Sequence, residues 1–509
     1  MVKPFCYGVE RGDYSEFWAA FGGRQPETVA KVFVGHQCPT YCVIKHGYIG
    51  RLLASRWYAV SGCRTVFRLP LRSFALKWAR FLLNSKQDMA MESRDFSLRL
   101  GVALLLTGLL AGLVGIGFTH LLHAVQQLVF HGGWAQGGHA SFRELAQQAS
   151  AGRRFAALLA CGAVVGVCWT LLQRYGAPLM EVKTAVKQPE KDMPVKTTAC
   201  HAILQIITVG MGSPLGREVA PREMSVALAT PLSGCLKLSP AQKSVVLACA
   251  SGAGLAAVYN VPLAATVFVL ETLLVAWSVP MVLAALLACG VAVLVVRVGL
   301  GDTVQYAHLP NLENVAFDAP FLVWAAVCGV LIALGVNAFA WSNGKLPKLN
   351  KASWKMLPIA LLSFAAIGAM GMWQPEILGN GKAGNQLSFA DALTWQTALA
   401  LLATKWAAVL LATLAGAYGG RITPSMMLGG MIAFASAAAW NAVLPPVSAG
   451  AAAFVGATVF LGLAQNMRLT AVVFMLELSR LSTAFWLPVC VCMGVAMAVQ
   501  MGWARRKAG

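Results

Sequence analysis

Gly216-Arg217-Glu218-Val219-Ala220-Pro221 places a carboxylate between the apolar stretch 203–211 and the largely uncharged stretch 224–236. An acid at membrane depth is costly, and such residues face a water-filled pathway, a partner or an ion. Here glycine and proline interrupt the segment and an apolar run follows that starts a helix. A helix broken within a membrane turns unpaired N–H groups and a positive dipole end toward the gap. That is a place for an anion, and the Glu218 side chain is itself an anion that fits it.

The composition agrees with a membrane setting. Of 509 residues, 58% are hydrophobic and only 12% charged, and the mean hydropathy is +0.66; soluble domains carry about 25% charged residues. Residues 100–122, 155–172, 279–296, 319–339, 357–372, 397–418 and 485–501 reach or approach the roughly 20 apolar residues that span a bilayer. Shorter runs at 202–211, 245–274, 426–439, 449–464 and 469–478 are cut by glycine or proline. Uneven lengths of this kind fit a transporter with broken helices better than a bundle of plain spans.

The net charge of +20 invites a nucleic-acid reading. In a chain this apolar it is better explained by basic cytoplasmic connections. These are 183–196, 345–355 and the tail 505–507, all assigned to the cytoplasm. Cysteines 161, 168, 249, 289, 490 and 492 lie singly in apolar runs and read as small core residues, not a disulfide framework. The first ninety or so residues differ from the rest: they are polar, basic and aromatic, without a spanning run or a signal-peptide pattern. His36, Cys38, Cys42 and His46 are metal-ligand types, but their spacing matches no defined finger. Residues 1–90 are therefore set apart from a membrane domain at 91–509, as a poorly ordered tail or as an upstream extension ahead of Met89 or Met91.

The chain repeats itself. Ala-Ser-Gly-Ala-Gly-Leu from Ala250 leads to Glu271, and Gly-Ala-Thr-Val-Phe-Leu from Gly456 leads to Glu477. Without gaps, Asn260 pairs with Asn466, Leu263 with Leu469, Ala265 with Ala471, Phe268 with Phe474 and Glu271 with Glu477. Upstream of each copy stands a glycine-led turn closed by proline, 216–221 in the first and Gly419-Gly420-Arg421-Ile422-Thr423-Pro424 in the second. The halves run over about 100–300 and 318–503. Two such turns bring two helix N-termini to one point, the inverted-repeat arrangement of many secondary transporters. Helix N-termini hold anions without a buried cation. Arg217 and Arg421 are accordingly expected to have structural or vestibule roles.

These residues resemble the CLC chloride channel and transporter family. Gly216, Arg217, Glu218 and Pro221 are similar to its gating-glutamate motif GREGP. The block 250–271 is similar to the helices that follow that motif, and Gly419–Pro424 resembles the second-half anion turn GGxFxP. The similarity runs from about residue 100 to 500. It implies an all-α polytopic membrane protein built as an inverted repeat of tilted and re-entrant helices. It also implies a homodimer with one anion pathway in each subunit.

Departures from the family pattern point to a branch. The region matching GSGIP is 176–182, which has no serine or threonine, and Met180 stands there. Residues 216–221 carry one residue more than GREGP, and 379–386 replace a glycine run. Together these resemble the fluoride-exporting CLC-F antiporters. The resemblance makes Glu218 the gate and proton carrier, and Val219, Ile422, Thr423 and Met180 the anion-binding positions. The position of the second, proton-relaying glutamate of the chloride antiporters is Thr272, which removes that route. No tyrosine follows Tyr418, so the tyrosine of the family's last helix is missing or replaced. Glu271 and Glu477 end apolar helices, where a carboxylate caps a helix end or pairs with a basic neighbour; a proton role is the alternative, and Glu223 is treated in the same way.

The expected activity is fluoride/proton antiport across a cell membrane, the bacterial inner membrane, with a cytoplasmic C-terminus. A chloride channel or chloride/proton antiporter of the same family is the alternative. An intramembrane enzyme using Glu218 and His201 is a remote third, because no metal or nucleophile constellation accompanies them. The partners implied are fluoride or chloride, the proton and the lipid bilayer, with no nucleic acid, cofactor or metal.

Overall fold

The computed structural model describes residues 97–131, 133, 141–307, 309–313 and 315–508. The expectations about residues 1–90, including the His36/Cys38/Cys42/His46 spacing, lie outside the described residues. Among the described residues nine helices are long and apolar enough to cross a membrane.

Among the described residues fourteen helices carry the architecture, and they fall into two series of seven. The first is α1 (Leu98–His131), α2 (Ala151–Tyr175), α3 (Val195–Gly210), α4 (Val219–Cys235), α5 (Pro240–Tyr259), α6 (Pro262–Leu274) and α7 (Val279–Leu300). The second is α8 (Ala319–Gly344), α9 (Met356–Trp373), α10 (Trp395–Leu414), α11 (Ile422–Asn441), α12 (Ala449–Ala464), α13 (Arg468–Ser479) and α14 (Trp486–Ala508). In each series the second and third helices are separated by a short helix, Val182–Lys187 in one and Lys382–Phe389 in the other.

Packing repeats with the order. The first helix of each series packs on the seventh, α1 on α7 and α8 on α14, and the fourth packs on the fifth. A side chain at Gly112 would strike Ala292 and Val295 of α7, and one at Gly329 would strike Cys492 and Val495 of α14. Between the series, α2 packs on α9 and α6 on α13. The apolar window of α5 is 83% buried and that of α11 72%, against 44% for α1. The inner helices are thus enclosed by protein, while α1, α7 and α8 turn leucine and valine outward, as a lipid-facing helix does.

Local chemistry sets the breaks. Ser239 and Gln242 form a capping box ahead of α5, so that helix starts with its first donors satisfied. It ends at Asn260, whose φ of 60° is left-handed, and the repeat partner Asn466 after α12 has φ 53°. Asparagine tolerates that conformation where most residues do not. The sequence repeat in Asn therefore marks a backbone requirement. Residues Val269–Leu274 close α6 in a π-helical turn, a feature absent from α13. Of the cysteines read as core, Cys161, Cys249, Cys289 and Cys492 are buried and Cys168 is partly so, but Cys490 is exposed. That residue sits on the outward side of α14, where an apolar thiol suits lipid as well as protein.

Candidate functional site

The two glycine-led turns meet. Gly216 and Gly420 form an antiparallel bridge, with N to O distances of 2.7 and 2.8 Å. Gly419 packs on Leu215 so closely that a side chain there would strike it. The bridge sets the N-termini of α4 and α11 side by side. Pro221 and Pro424 are each the third residue of their helix, within the first turn, where proline costs no hydrogen bond.

Glu218 stands at the N-cap of α4 and is fully buried. Its carboxylate does not cap its own helix. Oε1 accepts from the backbone N–H of Ile422, the first residue of α11, at 2.8 Å. Oε2 accepts from the Tyr259 hydroxyl at 3.1 Å. That hydroxyl lies 2.9 Å from Thr423 Oγ1. An ionised carboxylate only accepts, and a phenol has one proton. Tyr259 therefore donates to Glu218, and Thr423 donates to Tyr259. In its ionised form the carboxylate is thus held by a helix N-terminus and a chain of two hydroxyls. Neither Arg217 nor Arg421 forms an ion pair with it.

The glycines make the room. A Cβ placed at Gly216 or Gly420 would collide with the Glu218 carboxyl group. Beside the site lies a cavity of about 190 Å³ whose lining includes Arg143, Arg217, Lys382 and His123. No carboxylate occurs among the described residues that line it. Arg217 also reaches the Val258 carbonyl at 3.4 Å and lies 6.0 Å from the Tyr259 ring centre. Arg421 is turned away and donates to Asn343 Oδ1 and Thr413 Oγ1.

Of the other residues singled out in the sequence, only Val219 lies at the site. Val219 opens α4 next to Glu218. Met180 precedes the short helix Val182–Lys187 and packs, partly buried, at the edge of the core. Asn260 binds Asp302, Thr303 and Arg297 at the corner between α5 and α6. Thr272 bonds the Phe268 carbonyl within its own helix. Glu271 and Glu477 are exchanged between the series. Glu477 accepts from the N–H groups of Leu263 and Ala264 at 3.1 and 2.7 Å, which opens α6. Glu271 accepts from those of Leu469 and Thr470 at 3.1 and 2.7 Å, which opens α13, and from the Thr470 hydroxyl.

Two site residues escaped the sequence. The family pattern points to a tyrosine in the last helix, whereas Tyr259, the last residue of α5, supplies the phenol. Its only signal was an aromatic residue at a helix end, which reads as core. Asn385 is buried against Tyr306 and the Thr423 carbonyl, within the segment 379–386 noted only for its departure from a glycine run.

The sequence profile of voltage gated chloride channels matches residues 151–501. The chain belongs to the voltage gated chloride channel family. That family is one of channels and transporters, not of enzymes, and the chain is a multi-pass membrane protein. Among curated relatives, the voltage-gated ClC-type chloride channel ClcB of Shigella boydii serotype 18 is 28% identical over 237 residues, 45% of this chain and 54% of that one. ClcB of Escherichia coli O157:H7 is 28% identical over 240 residues with the same coverage. The chain thus spans about half the length of the curated relatives it matches. Among solved structures, a slow cyanobacterial Cl−/H+ antiporter superposes with a TM-score of 0.64 at 18% identity, covering 81% of this chain and 98% of that one. A CLC-type fluoride/proton antiporter superposes with a TM-score of 0.62 at 22% identity, covering 78% and 94%. These likenesses give the fold, a CLC-type inverted repeat of membrane helices.

Proposed function

We propose that this protein is a proton-coupled anion transporter that exports fluoride, with Glu218 as both gate and proton carrier. The observation that carries the proposal is the hydrogen bond from Ile422 N–H to Glu218 Oε1 at 2.8 Å, made by a carboxylate in a place suited to a free anion. Ionised, the side chain closes the site by occupying it. Protonated, it loses its negative charge and with it the charge-assisted part of that bond, and it swings out. An incoming anion then takes the two donors that held the carboxylate, Ile422 N–H and the Tyr259 hydroxyl, and is joined by the Thr423 N–H and hydroxyl and by Val219 N–H. Return of the carboxylate releases the anion and the proton to opposite sides. The basic cavity beside Arg217 gathers anions toward the gate. Met180 completes the proposed anion-binding positions on the resemblance of the region 176–182 alone.

Fluoride is favoured by chemistry. It is smaller than chloride and holds water more strongly, so its site must offer short, strong hydrogen bonds. Hydroxyls and first-turn amides supply them, and the region 176–182 adds no serine. The second reading is chloride, because the curated relatives are named chloride channels. A homodimer in the bacterial inner membrane, with a cytoplasmic C-terminus, completes the proposal.

The test is flux from proteoliposomes, with fluoride and chloride electrodes and a pH probe. The expected result is at least about tenfold preference for fluoride, which needs only ~1.4 kcal/mol of differential binding. Chloride efflux as fast as fluoride efflux overturns the fluoride assignment in favour of chloride.

A further inference from the structure

A second acid, partly buried, lies one turn beyond Glu218 on α4 and takes no part in the gate. Glu223, on α4, accepts from Gln205 Nε2 of α3 at 2.8 Å. The same oxygen lies 3.5 Å from His201 Nε2. On its other side His201 is engaged by Trp169, whose indole nitrogen is 2.9 Å from Nδ1.

Donor chemistry fixes the protons. An indole N–H only donates, so His201 Nδ1 is the acceptor, and the one proton of a neutral imidazole is on Nε2. Nε2 is the ring nitrogen nearer Glu223, 3.5 Å from its Oε2. His201 cannot take a further proton at Nδ1 without breaking the Trp169 bond. Within this cluster, the group that gains or loses a proton with the geometry intact is the Glu223 carboxyl. His201 is a positioning residue that holds it.

The cluster connects two regions that matter. The His201 ring stacks edge-on against Tyr418 at 4.6 Å. The Tyr418 hydroxyl accepts from Gln173, and the Lys351 ammonium lies 4.1 Å from its ring centre. Lys351 belongs to the basic connection 345–355, at the edge of the molecule. Tyr418 immediately precedes the Gly419-Gly420 turn that presents Ile422 to Glu218. On α3, His201 is eight residues from Val209, which lines the Arg217 cavity; at 1.5 Å per residue that is about 12 Å. Glu223 retains 16% side-chain exposure where His201 keeps 4%, so a proton has access to it. The charged groups that act on Glu223 besides His201 are Arg222 on the same helix and Glu181 before the short helix Val182–Lys187. Lys351 acts on His201.

We propose that Glu223, held by His201 and Gln205, is a second proton-exchange site, through which protons pass between Glu218 and the side of the molecule that carries the 345–355 connection. The proposal rests on the proton-coupled reading above. Glu223 takes a proton from water to become neutral. It then gives that proton to the Glu218 carboxylate and becomes an anion again, so one O–H bond forms as another breaks. Five residues of helix separate the two acids by about 7.5 Å along the axis, a gap that a water and a swung Glu218 side chain bridge.

Two readouts on the full chain test it. In proteoliposomes, Glu223→Gln is expected to lower the ratio of proton to anion flux at least about tenfold, and Glu223→Asp to restore much of it. In infrared difference spectra, a carboxyl C=O band that titrates with pH is expected to remain in Glu218→Gln and to vanish in the double variant Glu218→Gln/Glu223→Gln. His201→Gln is expected to shift the midpoint of that band, which a merely structural histidine does not do. A parent-level flux ratio in Glu223→Gln, or a band that persists unchanged in the double variant, overturns the proposal. If the parent protein moves anions without protons, the coupled reading falls by itself. The infrared band then still decides whether Glu223 exchanges protons.

Discussion

At the scale of single residues, the site works by exclusion. Glu218 fits against α11 only because neither Gly216 nor Gly420 has a side chain. Gly420 does not have a positive φ, so alanine is compatible with its backbone, and the three atoms nearest an added methyl group all belong to the Glu218 side chain. Gly420→Ala is therefore expected to expel the Glu218 side chain while the protein folds. Its ratio of proton to anion flux should fall at least about tenfold, the scale on which a misplaced proton-transfer group loses effect. Parent-level coupling in a well-folded Gly420→Ala protein contradicts this packing account. Tyr259 shows why part of the site could not be read in advance. It closes a helix of alanine, valine and glycine, and nothing in one dimension separates a phenol aimed at an acid from an aromatic residue filling the core.

At the scale of elements, the repeat is used as a clasp. Glu271 ends α6 and caps α13, while Glu477 ends α13 and caps α6. The sequence showed both glutamates and the helix ends they terminate, but not that each serves the opposite half. Removing either charge leaves helix-opening N–H groups with a weaker acceptor. Glu271→Gln and Glu477→Gln are each expected to cost about 1–3 kcal/mol, seen as a lower midpoint of thermal unfolding in detergent with proton coupling retained. Loss of coupling by Glu271→Gln at an unchanged midpoint contradicts the capping role and returns the proton role to this residue.

A smaller clasp holds the connection after α7. The Asp302 carboxyl is bonded by Arg480 and by Asn260 and faces Arg297, and these hold it below the usual carboxylate range. A carboxyl so depressed contributes above its unfolded value of about 3.9, and that contribution is lost as pH falls through the lower folded value. Asp302→Asn is expected to speed amide hydrogen exchange in residues 301–307 at neutral pH. The difference from the parent should close as the pH drops below the carboxylate range. A difference that persists in acid shows that the clasp does not depend on the charge.

At the scale of the whole molecule, the fold was legible because membrane burial makes strong demands on few residues. Apolar length gave the spans, and left-handed helix ends required Asn260 and Asn466. Broken helices required the turns 216–221 and 419–424. What stayed hidden depended on which helices become neighbours in three dimensions. Trp169, His201, Gln205, Glu223 and Tyr418 come from four separate stretches, and no spacing links them. The outward side of α14 that carries Cys490 was hidden for the same reason, since an apolar residue suits lipid and core alike.

The central claim is that one carboxylate both closes the anion pathway and carries the proton. Simultaneous anion and proton flux from proteoliposomes, parent protein against Glu218→Gln, tests it most directly. The parent protein is expected to drive protons uphill on an imposed fluoride gradient, and Glu218→Gln, which cannot titrate, is expected to pass the anion with no proton movement. Uphill proton transport by Glu218→Gln at the parent rate contradicts the account.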